Sequence, residues 1–374
     1  MKVLVIFGTR PEAVKLCPVI QCLQRDSRNF SVRVCVTAQH RHLLDQVLDA
    51  FQVRPDHDLD LMSPEQTLYS STACIVQGLA PVLASENPDM VLVQGDTTTT
   101  FCAALAAFYG KVPVGHIEAG LRTGDILQPF PEEMNRLLTT RLASLHFAAT
   151  DWAADNLRKE AVPGGAIFVT GNTGIDAVLH VAAQLEQGLL PSGPWPQLDP
   201  RKRLVLVTAH RRESFGAGME NLCTALEQLA RRPDVQVAYP VHPNPNVRQT
   251  VHRRLSGNPN IILMEPLAYV PFVDLMRRSY LLLTDSGGVQ EEGPSLGKPI
   301  LVLREKTERP EAVLAGTVQL VGTDPERILA HASSLLNDPV LHARMSAVHN
   351  PYGDGHASER ISHLIASFQR ENIS

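Results

Sequence analysis

Residues 280–309 read YLLLTDSGGVQEEGPSLGKPILVLREKTER. The first five are almost purely apolar, as expected of a strand buried on both faces. Asp285, Ser286, Gly287 and Gly288 follow at once, a helix is expected to begin at Val289, and residues 299–303 read as a second buried strand. Adjacent glycines permit backbone conformations closed to other residues and keep side chains out of a ligand's way. Strand, glycine turn and helix start together aim unpaired backbone N–H groups and the positive end of a helix dipole at one point, which makes an anion site. A lone Gly-Gly would fit an ordinary βα turn equally well. The surrounding residues favour the anion site: Ser286 at the turn, Glu291 and Glu292 in the first helical turn, and Arg304, Lys306 and Arg309 beyond the next strand. Phosphate takes N–H groups and cations, whereas a ribose diol takes a carboxylate. A nucleoside diphosphate would use all of them.

Outward from this stretch the same alternation fills the chain. Residues 3–7, 32–36, 90–93, 114–117, 145–148 and 167–169 read as strands separated by helical patterns. After a proline- and glycine-rich bridge at 188–200, strands are expected again at 204–208, 235–239, 261–264, 280–284, 299–303 and 318–321. Strands alternating with helices imply an α/β protein of two Rossmann-like, doubly wound parallel-sheet domains in tandem. The length of 374 residues suits two cores. A net charge of -5 with no basic stripe gives no support to nucleic-acid binding, and no apolar run is expected to span a membrane. The amino-terminal MKVLVIFGTRPEA is too short in its apolar part for a signal peptide and reads as a first strand. Six cysteines without a C-x-x-C pair suggest reduced thiols and a cytoplasmic protein.

Ligands of doubly wound domains sit beyond the carboxyl ends of the strands, and those ends are heavily charged. Gly8-Thr9-Arg10-Pro11-Glu12 follows the first strand; Asp96 follows the third; Glu118 and Arg122 follow the fourth, with Glu132, Glu133 and Arg136 further on. In the second half come Ala209-His210-Arg211-Arg212 and His242-Pro243-Asn244. Charges cost desolvation there, so their convergence suggests a polar cleft between the domains. Arg10-Pro11-Glu12-Ala13-Val14 recurs as residues 309–313, which is either shared helix-start chemistry or two arginines approaching one ligand. There is no G-x-G-x-x-G and no P-loop, and neither His40, His116 nor His242 has metal-ligand spacing, so no dinucleotide, metal or other cofactor is expected. Asp56-His57-Asp58-Leu59-Asp60 reads as a solvated loop and His116 as a core residue, whereas His210, between a buried strand and two arginines, reads as a ligand contact.

FGTRPEAVKLCPV, QGDTTTT, HIEAGLRTGD, PFPEEMNR, TGNTGIDAV, TAHRRESFG, YPVHPNPNV, LTDSGGVQEEGPSLGKP, ERPEAV and HNPYGDG resemble the non-hydrolysing UDP-N-acetylglucosamine 2-epimerases of bacteria over essentially the whole chain. The resemblance implies a GT-B-like fold, with residues 1–172 and a crossover helix at 356–374 in an amino-terminal domain carrying the catalytic carboxylates, and 173–355 in a UDP-binding domain. It implies a homodimer acting on UDP-N-acetylglucosamine by expelling UDP from C1 while a base takes the C2 proton, then adding UDP back with the proton on the other face. Asp96, Glu118, Glu132 and His210 become the catalytic candidates. Arg10, Lys15, Arg136, His210, Ser286, Gly287, Gly288, Glu292 and Arg309 become the UDP and substrate contacts. Gln39, Arg211 and His242 match a second, activating substrate site. Ala209 and Gly293 stand where glycine and alanine are common, and His42 where some relatives carry glutamine. A glycosyltransferase of the same fold, a hydrolysing 2-epimerase and a nucleotide-sugar sensor are the rival readings.

Overall fold

The computed structural model describes residues 1–37, 41–61, 66–211, 215–307 and 309–373. They fall into two compact units, Met1–Ala177 with Tyr352–Ser374, and Val178–Pro351.

The first unit runs β1 (Lys2–Phe7), α1 (Arg10–Arg25), β2 (Ser31–Val36), α2 (Arg41–Ala50), β3 (His57–Asp58), α3 (Leu68–Glu86), β4 (Met90–Gln94), α4 (Thr98–Tyr109), β5 (Val114–Ala119), α5 (Glu132–Leu142), β6 (Leu145–Ala148), α6 (Asp151–Lys159), β7 (Ile167–Val169) and α7 (Thr173–Glu186), the last continuing into the second unit. Its seven strands are parallel, in the order β3-β2-β1-β4-β5-β6-β7. Val3 to Phe7 are wholly buried, as strands covered on both faces must be. β3 modifies the reading of residues 56–60 as a solvated loop: His57 and Asp58 form a strand, while Asp56, Asp58 and Asp60 are exposed, as expected. Its register is Cys35↔His57 and Val36↔Asp58, and His57 lies 2.7 Å from Glu86. Too short for any period, it leaves no sequence signal.

The second unit runs β8 (Arg203–Thr208), α8 (Ala217–Leu229), β9 (Val235–Pro240), α9 (Pro245–Leu255), β10 (Ile261–Met264), α10 (Tyr269–Arg278), β11 (Leu281–Thr284), α11 (Gly287–Glu292), β12 (Ile300–Val302), α12 (Pro310–Ala315), β13 (Val318–Leu320), α13 (Pro325–Asn337) and α14 (Pro339–Ser346). Its six strands are ordered β10-β9-β8-β11-β12-β13. The final helix α15 (Ala357–Ile373) belongs to the first unit, where Asp176 accepts the N–H groups of Ala357 (3.3 Å) and Ser358 (2.7 Å) at its start. The bridge at 188–200 lies inside the second unit, not at a boundary. Gly193 N–H and the Trp195 indole both donate to the buried Asp274 (3.1 and 2.8 Å), which pins the bridge to α10. Gly293 has a packing reason. A Cβ there would come within 2.7 Å of Leu282 and 2.8 Å of Ile300, so these larger neighbours fill the space of an alanine methyl.

One described helix, α3, is long and apolar enough by composition to cross a membrane. That qualifies the expectation that no run approaches such a length. In the fold it packs on α4 and buries Ile75, Leu79, Val82 and Leu83.

Candidate functional site

Each sheet reverses its strand order once, between β1 and β4 in the first unit and between β8 and β11 in the second. Such reversals open a crevice at the carboxyl ends of the two strands.

In the first unit Glu12, on the opening turn of α1, is 1% exposed. One carboxylate oxygen accepts the N–H groups of Gly8 (3.1 Å) and Thr9 (2.8 Å), and the other accepts the Thr97 hydroxyl (2.8 Å). It ties the loop after β1 to the loop after β4. Burial raises its pKa, and the hydrogen bonds oppose the rise.

Glu118 occupies an unusual backbone. Its φ of 65° lies in the left-handed region, and the β5–β6 register slips between Ile117 and Ala119. A bulge at a strand end re-aims one side chain, and a non-glycine residue held there costs roughly 1–3 kcal/mol. The Lys15 ammonium donates to one Glu118 oxygen and the Gln94 amide to the other. Asp96, two residues beyond β4, accepts from Arg136 Nε (2.9 Å) and pairs with its Nη2 (2.8 Å). Asn135 donates to the Asp96 carbonyl (2.9 Å), and His116 to that of Gly95 (2.7 Å), so the loop is held from both sides.

Arg136 also donates to the buried Glu133 (2.8 Å), which accepts the N–H groups of Thr123 (2.9 Å) and Gly124 (3.1 Å). Burial works against the Arg136 charge, yet Asp96 and Glu133 outweigh it and raise its pKa. Arg122 and Arg136, which flank Glu132 in the sequence, have other partners. Arg122 binds Glu160 (2.6 and 2.9 Å) and Thr140 (2.8 Å), Arg136 takes Asp96 and Glu133, and the half-buried Glu132 side chain has no hydrogen bond among the described residues. His116 is a core residue, 1% exposed, paired across the strands with His146; burial pushes them down to about 3 and about 4, so both are neutral at pH 7.

In the second unit, Thr208 and Thr284 end β8 and β11 in register, with hydroxyls 2.6 Å apart. Asp285 follows, fully buried. Its Oδ2 accepts the backbone N–H of His210 (2.7 Å) and of Arg211 (2.8 Å), and its Oδ1 lies 3.3 Å from His210 Nδ1. The buried Tyr239 hydroxyl donates to the Ala209 carbonyl (3.0 Å), steadying the same strand end. The His210 ring stacks on His242 with centroids 5.2 Å apart. Burial and then the neighbouring His210 lower the His242 pKa.

The glycine pair needs a correction. Gly287 and Gly288 are the first residues of α11, Ser286 is its N-cap, and neither glycine has a positive φ. Space, not backbone freedom, is their use. A Cβ on Gly287 would lie 2.5 Å from the guanidinium carbon of Arg309, whereas one on Gly288 would meet nothing within 4 Å. Arg309 donates to Glu291 (2.6 Å) and is thereby held across the start of α11. Glu292, half-buried at the end of α11, lies near enough to the buried Tyr269 phenol to add to the rise that burial gives that group's pKa. The repeated R-P-E-A-V is out of phase: Arg10 is the first residue of α1, whereas Arg309 is the N-cap of α12.

Asp96, Lys15, Glu118 and Arg136 therefore gather in the first unit, and His210, His242, Ser286, Gly287, Gly288 and Arg309 in the second. Gln39 lies outside the described residues. Asp285, Glu133, Gln94 and Glu291 received no specific role from sequence; the position of Gln94 and Asp285 at the reversal strands was the signal available.

The chain matches the family model described as UDP-N-acetylglucosamine 2-epimerase over residues 22–366. It is 55% identical over 366 residues to the UDP-N-acetylglucosamine 2-epimerase of Escherichia coli K12, covering 96% of this chain and 97% of the relative. Among solved structures it resembles the Neisseria meningitidis UDP-GlcNAc 2-epimerase bound to UDP-GlcNAc (TM-score 0.88, 47% identity, 98% and 100% of the chains covered). The Methanocaldococcus jannaschii enzyme in complex with UDP-GlcNAc and UDP is a further likeness (TM-score 0.76, 32% identity, 98% and 100% covered).

Proposed function

The chain belongs to the UDP-N-acetylglucosamine 2-epimerase family, and from that premise we propose how its residues invert C2. It is an isomerase that interconverts UDP-N-acetylglucosamine and UDP-N-acetylmannosamine. The C2 proton of the substrate is not next to a ketone, so direct removal is unfavourable. In the proposed route a carboxylate takes that proton, the C–H electron pair forms a C1=C2 bond, and the C1–O pair departs with UDP. Re-addition of UDP at C1 with a proton delivered to the other face of C2 completes the inversion.

Glu118 is the observation that carries this reading. A strained, bulged residue keeps its carboxylate between a cation and an amide, an arrangement that burial and pairing needs alone would not select. With Asp96 and Glu132 it supplies three carboxyl groups for work on two faces of one carbon. In the second unit, Arg309, His210 and the start of α11 offer cations and N–H groups to the diphosphate, as Arg10 does from the first. Gly288 leaves the backbone open to it, and Glu292 is assigned to the ribose. Arg211 and His242, beside His210, are assigned with Gln39 to an activating substrate site.

The first unit also exposes Leu68, Tyr69, Phe108, Tyr109 and Leu138 across the packed helices α3, α4 and α5, an apolar face suited to a homodimer. Six free cysteines fit a reducing, cytoplasmic setting, and the product serves surface polysaccharide synthesis in the role the resemblance implies. An NMR time course with UDP-N-acetylglucosamine as sole substrate tests the reading. A mixture of the two UDP-sugars is expected. Free N-acetylmannosamine with UDP would point to hydrolysis, and unchanged substrate to a transferase or sensor.

A further inference from the structure

We propose that Asp285 is a positioning residue for His210, holding Nδ1 of the ring so that Nε2 is the nitrogen presented to the diphosphate. This rests on the reading of His210 as a diphosphate contact.

The geometry separates two tasks within one carboxylate. Oδ2 alone accepts both backbone N–H groups, from His210 and Arg211. Clamping the loop after β8 to the end of β11 therefore needs only one oxygen, which an asparagine would supply. Oδ1 is spare for that task. It is buried, makes no hydrogen bond among the described residues, and lies 3.3 Å from His210 Nδ1. A fully buried charge is costly unless something uses it. The group that faces Oδ1 is the imidazole, so Nδ1 carries the hydrogen, an assignment made from its acceptor neighbour. His242 stacked on the ring limits rotation about the last side-chain bond. The His210 side chain is 38% exposed, so the nitrogen away from Asp285 remains open to a ligand. A buried carboxylate that fixes the ring of a working histidine is a recurrent arrangement in catalysis.

In the reaction, the oxygen of UDP gains negative charge as the C1–O pair departs. A ring held between Asp285 and the diphosphate keeps its Nδ1 hydrogen against the Oδ1 charge and donates from Nε2 to the diphosphate. No proton needs to leave the ring in either direction.

Asp285→Asn tests this in the full-length enzyme. Its amide oxygen keeps the two backbone bonds, but its NH2 group faces Nδ1 and forces that nitrogen to accept, which excludes the doubly protonated ring. Turnover should fall on the order of 10²-fold, as for the loss of one donor aimed at developing negative charge. In a His210→Gln background the same change should cost less than about twofold, since coupled residues are non-additive. An equal loss in both backgrounds, or no loss in either, overturns the proposal and leaves Asp285 a loop clamp. Wild-type turnover in His210→Gln alone would instead overturn the underlying reading of His210. Should Asp285→Asn fail to fold, 15N shifts of the His210 ring in the wild-type enzyme, assigned by difference from His210→Gln, decide the matter. A protonated Nδ1 is expected, and an unprotonated Nδ1 contradicts the proposal.

Discussion

Each unit laces its strand-order reversal with one buried carboxylate, and the two carboxylates are used differently. Glu12 employs both oxygens, accepting from Gly8 and Thr9 on one side of the reversal and Thr97 on the other. Asp285 accepts both backbone donors on Oδ2 and turns Oδ1 toward a histidine ring. The first is committed to structure, while Asp96 and Glu118, the carboxylates proposed to react in that unit, have their own partners in Arg136 and in Lys15 and Gln94. The second combines structure with orientation. A doubly wound sheet thus places a polar tie at the same topological point twice, and the oxygens left over by the tie mark where chemistry can attach.

The largest effects should come from the reactive carboxylates. Asp96→Asn and Glu118→Gln keep shape but abolish proton acceptance, and turnover should fall roughly 10²–10⁴-fold while calorimetry still detects UDP binding. Wild-type turnover in both would remove them from the mechanism and leave the first unit with ties only. Next in size is Arg309→Ala in the second unit. Losing a charge-assisted partner of a bound phosphate should cost about 2–5 kcal/mol of UDP affinity. Gly287→Ala should weaken UDP by displacing the Arg309 guanidinium, and Gly288→Ala should leave the stability of the free protein unchanged, because its Cβ meets nothing.

These contrasts also show what sequence could and could not convey. Both sheets were legible because buried strands such as residues 3–7 and 281–284 are continuous apolar runs, and because Asp96, Glu118 and His210 follow such runs directly. The edge strand β3 was not, since two residues carry no period. Of the two uses the sequence offers for the glycine pair, backbone freedom and open space, only the fold shows that Gly287 serves the second, because the guanidinium that needs its empty side comes from Arg309, 22 positions later in the chain. Glu132 and Glu133 are adjacent and chemically alike; only the fold shows that Glu133 takes the arginine and the loop N–H groups.

On the side of stability the expected effects are smaller. Glu12→Ala would leave the Gly8 and Thr9 N–H groups and the Thr97 hydroxyl without their acceptor, so unfolding should become easier by roughly 1–3 kcal/mol, read as a lower denaturation midpoint. His116 supplies the pH dependence. Its folded pKa is lowered to about 3 from an ordinary value of about 6.5. Below pH 6.5 the unfolded chain takes up a proton that the folded one refuses. The contribution is therefore present above pH 6.5 and is lost as pH falls toward 3, by at most about 1.4 kcal/mol per pH unit. His116→Gln should flatten the fall in melting temperature between pH 7 and 5; an unchanged slope would mean that other groups set it.

In the proposed reaction the first unit's carboxylates remove and return the C2 proton while the second unit holds UDP. Turnover of UDP-N-acetylglucosamine in D2O, followed by NMR at C2, tests it most directly. A carboxyl group that exchanges with solvent before returning its proton predicts deuterium at C2 of the product, with traces of free UDP and the unsaturated sugar. Product that retains its original proton at C2 would contradict elimination and re-addition through these carboxylates.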